Sequence, residues 1–167
     1  MPNYIRPKVA GSTVFFTVVL AQRGGDLLVR EVGRFREAVA VTLRERPVEI
    51  AAWVVLPDHL HAVWTMPEGD RDYSRRWGAI KARFSMGLDA GRLRASHEVR
   101  REKGIWQRRF WEHHIRDDDD FAAHVRYCHI NPVKHGFVER PEDWPYSSVH
   151  REIALGRYAP DCWAGRS

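Results

Sequence analysis

The stretch LPDHLHAVW, residues 56–64, decides how the chain is read. Before it, VEIAAWVVL (48–56) is a β-branched and apolar run of the length of one buried strand, and HAVWTM (61–66) after it is another. The PDHL link is far too short for a parallel crossover, so the two strands are expected to pair antiparallel. On an extended chain side chains alternate between faces, which points His59 and His61 the same way and Leu60 the other. Two imidazoles on one face near a strand end can bind one cation together. Histidines at this spacing also occur as ordinary surface or hydrogen-bonded residues, so the pair alone decides nothing. Asp58 falls on the face of Leu60 and is the poorer candidate for a direct ligand.

Outward from this hairpin the periods alternate between strand and helix. STVFFTVVLA (12–21) reads as a buried strand, and RGG (23–25) turns the chain. In 31–46, Val32, Phe35, Val39 and Leu43 fall at helical spacing, and Pro47 stops the helix. YSRRWGAIKARFSMGL (73–88) is a second amphipathic helix through Trp77, Ile80 and Phe84. Residues 89–104 are polar and basic without a period and are expected to form a loop; RFWEHHIR (109–116) alternates as a fourth strand. DDDDFAAHVRYCHIN (117–131) is a third helix, with Asp117 placed to cap it and Asp118 to Asp120 opposing the positive end of its dipole. Pro132 is expected to end this helix and to begin a C-terminal extension in which WPYSS (144–148) covers the core. The order β-α-β-β-α-β predicts an α+β, ferredoxin-like sandwich: one antiparallel sheet with the histidine strand at its centre, in a single domain over 1–167.

Composition narrows the function class. A 167-residue chain with 44% hydrophobic residues can bury a core. MPNYIRPKVAGS lacks the apolar segment of a secretory signal, so none is expected, and no apolar run nears the roughly 20 residues that span a bilayer. Cys128 and Cys162 form no metal or redox spacing, as expected of reduced thiols in a cytoplasm. The net charge of +5 is concentrated: between Arg71 and Arg109 twelve bases face four acids, so this segment outweighs the whole chain. Arg75, Arg76, Lys81, Arg83, Arg108 and Arg109, interleaved with Trp77 and Trp106, are the candidates for gripping phosphates and stacking bases. A solvated basic surface would have the same composition.

The third helix gives the histidines company. Phe121, Val125 and Cys128 make its buried stripe, while His124, Tyr127 and Asn131 share an adjoining face. Tyr127 and Asn131 stand one turn apart, so a phenol and an amide oxygen can reach a common site. A histidine pair, an oxygen ligand and a phenol suit phosphoryl transfer, with the tyrosine oxygen attacking a metal-polarised phosphate. His113 and His114, as strand neighbours, face opposite ways, and both are expected to be structural or DNA-contacting.

WVVLPDHLHAVWTMPEGD, GIWQRRFWEHHIRDDDDF and YCHINPVKHGFVERPEDWPYSS together resemble the REP-associated tyrosine transposases, part of the single-tyrosine HUH group. HUH denotes histidine, a hydrophobic residue, histidine: here His59-Leu60-His61. The resemblance spans about Tyr4 to Trp163. It implies a nuclease that cuts and rejoins single-stranded DNA at imperfect palindromic hairpins, leaving a 5′-phosphotyrosine on Tyr127 and a free 3′-hydroxyl. It also implies Mg2+ or Mn2+ on His59, His61 and Asn131, whereas the imidazole-rich donor set by itself leans to zinc or manganese. The expected partner is single-stranded or hairpin DNA, with no membrane and no small-molecule cofactor. The protein is expected to be cytoplasmic and nucleoid-associated, and monomeric rather than dimeric. A non-catalytic binder of repeat DNA and a metallonuclease that uses water are the competing readings.

Overall fold

A computed structural model describes residues 11–88 and 104–158. Most of the predicted basic loop at 89–104 lies outside these residues. The described strands are β1 (Thr13–Val19), β2 (Glu49–Val55), β3 (His59–Thr65) and β4 (Trp111–His114). The helices are α1 (Leu27–Arg30), α2 (Val32–Glu45), α3 (Tyr73–Ser85), α4 (Asp118–Lys134) and α5 (Val149–Ala154), with a 3-10 turn at Pro141–Asp143. The four strands form one sheet in the order β2-β3-β1-β4, every neighbouring pair antiparallel. This is the expected α+β architecture, with the histidine strand inside the sheet.

The sheet separates two apolar layers by the alternation of its residues. Val14, Phe16, Val18, Leu60, Ala62 and Trp64 look toward α2 and α3, where they meet Phe35, Val39, Trp77, Ile80 and Phe84. Phe15, Val54 and Val63 look the other way and meet Phe121, Val125 and Cys128 of α4. Because side chains alternate along β3, His59 and His61 belong to the second face, under α4.

β3 begins at His59, two residues earlier than the apolar run suggests. The Leu56 amide donates to the His59 carbonyl at 2.9 Å, closing the connection tightly. At the other end of α4 the structure corrects the expectation for Pro132. The helix continues through it to Lys134 and is bonded again beyond it, His135 N–H to Asn131 O at 3.0 Å, although proline withholds an amide donor and crowds the carbonyl four residues back. The segment after the helix returns along the free edge of β2: Val55 N–H donates to Tyr146 O at 2.8 Å and Ser148 N–H to Trp53 O at 2.9 Å. WPYSS thus covers part of the core and protects a sheet edge.

Arg76 is a structural group and not the DNA contact expected of it. It is 2% exposed. Its guanidinium donates to both Asp70 carboxylate oxygens, at 3.1 and 2.8 Å, and to the carbonyls of Arg46, Pro47 and Asp72. These bonds tie the start of α3 to the end of α2, and the guanidinium holds the Asp70 carboxyl down to about 2. Arg76→Ala strands several of these acceptors and is expected to cost about 3–5 kcal/mol in urea unfolding. A loss below about 1 kcal/mol would contradict this role.

Candidate active site

β1 and β3 place His61 opposite Thr17, and the Thr17 hydroxyl lies 2.9 Å from His61 Nδ1. His59 Nδ1 lies 2.8 Å from an Asp58 carboxylate oxygen. The other Asp58 oxygen accepts from the Gly24 amide at 2.9 Å and from Arg23 Nε at 3.0 Å, with Gly24 at φ +86° in the RGG turn. Asp58 therefore orients His59 without having to share its face. Burial would raise the Asp58 carboxyl, but the Gly24 amide, His59 and Arg23 outweigh it and hold the group below its ordinary range.

With their Nδ1 atoms engaged, the two imidazoles keep Nε2 for other work. Their ring centroids are 5.1 Å apart. His61 Nε2 is buried without a hydrogen-bond partner, and so is the Oδ1 of Asn131, a residue 1% exposed. Burial pushes His61 down to about 3, with His59 and His135 adding to it, and burial also lowers His59. Both rings are thus neutral at physiological pH, the form in which imidazole binds metals. A buried polar atom left without a partner carries a cost of about 1–3 kcal/mol. Two such atoms, one nitrogen and one amide oxygen, fit a divalent cation as their missing partner.

The ring of Tyr127 lies 5.1 Å from that of His61, edge-on at 71°, and is 38% exposed. Phe15 packs against both rings and fixes their separation. Lys134 Nζ stands 5.3 Å from the Tyr127 ring centroid. His135, which sequence reasoning missed, brings its ring to 5.2 Å from His59. The spacing of Tyr127, Asn131 and His135, four residues each, was the signal for it. Among the described tyrosines only Tyr127 packs on His61. Tyr73 lies against β4 and is pushed up to about 12 by the Glu112 carboxylate, and Tyr158 is 4% exposed.

The chain has counterparts among known proteins. Over 165 residues the chain is 47% identical to the REP-associated tyrosine transposase of Escherichia coli (strain K12), which covers 99% of this chain and 92% of that protein. The chain belongs to the REP-associated tyrosine transposases. A Haemophilus influenzae protein of the same family name is 43% identical over 167 residues, covering 99% of this chain and 94% of its own. A solved structure of a REP-associated tyrosine transposase bound to a REP hairpin superposes with a TM-score of 0.80 at 47% identity, over 99% of this chain and 92% of that one. No protein-family model matches the chain. Among its described residues no helix is long and apolar enough to cross a membrane.

In this transposase the basic helix α3 packs on the sheet face opposite His59 and His61. Trp77 and Trp106 are 2% and 8% exposed, so neither ring can stack on a base as expected. Trp77 lies parallel on Trp64 at 4.3 Å, and Trp106 packs edge-on against Phe84 at 5.3 Å. Arg83 is tied to α2 through Thr42 and both Glu45 oxygens, and Lys81 donates to the carbonyls of Gln107 and Arg108. Arg75, Arg108 and Arg109 are exposed.

His129 lies behind the site, buried, with its Nε2 3.0 Å from the Ser148 hydroxyl. Burial pushes it down to about 3, helped by Arg151 and His150. Above pH 6.5 it is neutral folded or unfolded and the pH has no leverage through it. Below 6.5 the unfolded chain takes up the proton first, so stability falls as pH drops toward 3. The expected slope is about 1.4 kcal/mol per pH unit for this residue, with His61 adding a similar amount in metal-free protein. Urea unfolding at pH 6.5 and 4.5 measures it, and His129→Gln should make the decline shallower. An unchanged slope in that variant would contradict the assignment.

Proposed function

We propose that this protein cuts and rejoins single-stranded DNA at REP-type palindromic hairpins, through a 5′-phosphotyrosine intermediate on Tyr127. The observation that carries the reading is the pair of buried, unpartnered atoms, His61 Nε2 and Asn131 Oδ1, on the sheet face where Tyr127 packs against His61. The hairpin substrate is taken from the relative whose structure holds one.

His59, His61 and Asn131 would hold the divalent cation, Mg2+ or Mn2+, each with a neutral donor. When bound, the cation stabilises negative charge on the scissile phosphate. Asp58 and Thr17 hold the imidazoles in orientation from behind. The Tyr127 oxygen attacks phosphorus and loses its proton. The bond from phosphorus to the 3′ oxygen breaks, and that oxygen takes up a proton as a free 3′-hydroxyl. One phosphodiester replaces another and no water is consumed, so the reverse attack by a 3′-hydroxyl rejoins a strand. Lys134, over the Tyr127 ring, is placed to favour an anionic backbone nearby.

Denaturing electrophoresis of end-labelled hairpin DNA after incubation with protein and Mg2+ or Mn2+ tests this. A slow band that protease removes is the expected result. A free nicked product would instead mean that water attacks, and intact DNA held only under native conditions would mean a binding protein.

A further inference from the structure

With Trp77 and Trp106 buried, Trp111, Tyr127 and Phe137 are the exposed large aromatic rings among the described residues, and the indole of Trp111 is the most exposed of them. Trp111 opens the edge strand β4 and is 57% exposed. Thr17 pairs with His61 on one side and with Trp111 on the other. Directly paired residues of an antiparallel sheet share a face, so Trp111 stands in the row of His61, about 10 Å away at two strand spacings. Phe15, buried, meets Trp111 at 5.8 Å and Tyr127 at the same distance, each edge-on, so the two exposed rings lie within twice that distance of each other.

The indole is also held from behind. It lies parallel to His113, at 10° and 6.1 Å, and His113 lies parallel to His124, at 17° and 4.6 Å. Asp120 fastens both histidines: one carboxylate oxygen is 2.9 Å from His113 Nε2, and its backbone carbonyl accepts from His124 Nδ1 at 2.9 Å, with the other carboxylate oxygen 3.0 Å from that nitrogen. The Arg116 amide donates to the same carboxylate at 2.9 Å. These three groups bring ligand-type atoms within 4.8 Å of one another, as a metal site would. Both imidazole nitrogens are engaged by Asp120, His113 Nε2 by its carboxylate and His124 Nδ1 by its backbone carbonyl, which leaves a buttress beneath the exposed indole. Arg109 and Arg116 are exposed on either side of β4, as a phosphate backbone passing the indole would need.

We propose that Trp111 is a nucleobase-stacking platform, holding an unpaired base of the single strand close to the phosphate attacked by Tyr127. It rests on the reading of the protein as a nuclease of single-stranded DNA and adds the residue that positions the strand. Stacking is indifferent to base identity, so Trp111 sets where the strand lies and leaves sequence choice to other contacts.

The test is a hairpin with a single-stranded flank, used also without its flank and with each flank base in turn replaced by an abasic site. Trp111→Ala and Trp111→Leu are compared with the wild type, and Leu keeps an apolar contact with Phe15 while removing the ring face. Both variants should weaken flanked-hairpin binding by about 5- to 150-fold and leave flankless binding unchanged. One abasic position should cost the wild type a similar factor and cost the variants nothing further. A 2-aminopurine at that position should be quenched by the wild type and not by Trp111→Leu. If the variants bind the flanked hairpin as the wild type does, the platform is wrong while the hairpin reading stands. If the wild type binds no hairpin, both fall.

Discussion

His61→Ala is expected to fold and still bind hairpin DNA, and to lose both Mn2+ binding and all strand cleavage. Its Nε2 is one of the two buried atoms for which the folded chain supplies no partner. Removing the imidazole removes a proposed ligand and leaves Asn131 with an amide oxygen still unsatisfied. His59→Ala should act in the same way, because both rings stand on one face of β3 with centroids 5.1 Å apart. Asp58→Ala removes an orienting group and not a ligand, so a loss of about 10- to 100-fold in metal affinity is expected. Calorimetric titration with Mn2+ reads these effects apart from catalysis, and chelator on the wild type should match His61→Ala in the cleavage assay. Undiminished Mn2+ affinity in His61→Ala would remove the metal from this site.

Tyr127→Phe should be the more selective lesion. It keeps the ring that packs on Phe15 and His61 and deletes one oxygen from a residue that is 38% exposed. Stability is expected to change by less than about 0.5 kcal/mol. Mn2+ affinity and hairpin binding should be retained, because neither depends on the phenol oxygen. Strand cleavage should fall by a factor on the order of 10^4 or more, as when a covalent nucleophile is removed. Quantified nicking by wild type and variant under equal metal gives the ratio. A variant that still nicks without an adduct would make water the attacking group.

The elements of this fold were legible wherever a period repeated. Strand alternation put His59 and His61 on one face, and helical spacing put Tyr127 one turn from Asn131. The short PDHL link gave the antiparallel pair that places the histidines inside the sheet. Legibility failed where tertiary contacts override local character. Arg76 reads as a surface base, yet its guanidinium finds enough acceptors between α2 and α3 to be buried. Trp77 sat on the apolar stripe with Ile80 and Phe84, so its burial was readable and its choice as a stacking ring conflicted with that same period. Which sheet face each helix covers is settled by packing, and so the basic helix proved to lie across the sheet from the histidines. Trp111 gave no signal of its own, because an alternating strand does not announce that it is the edge. Asp120 read as a dipole partner at the start of α4, and its carboxylate turned back toward β4 to hold His113 while its carbonyl holds His124.

The central claim, that Tyr127 carries the covalent link, is tested most directly by mapping the adduct. Wild-type protein incubated with hairpin DNA and Mn2+, then digested with nuclease and protease, should yield a single nucleotide-bearing peptide containing YCHINPVK, with the added mass on Tyr127. The mass on a peptide carrying Tyr4, Tyr73, Tyr146 or Tyr158, or nicked DNA with no modified peptide at all, would contradict the account.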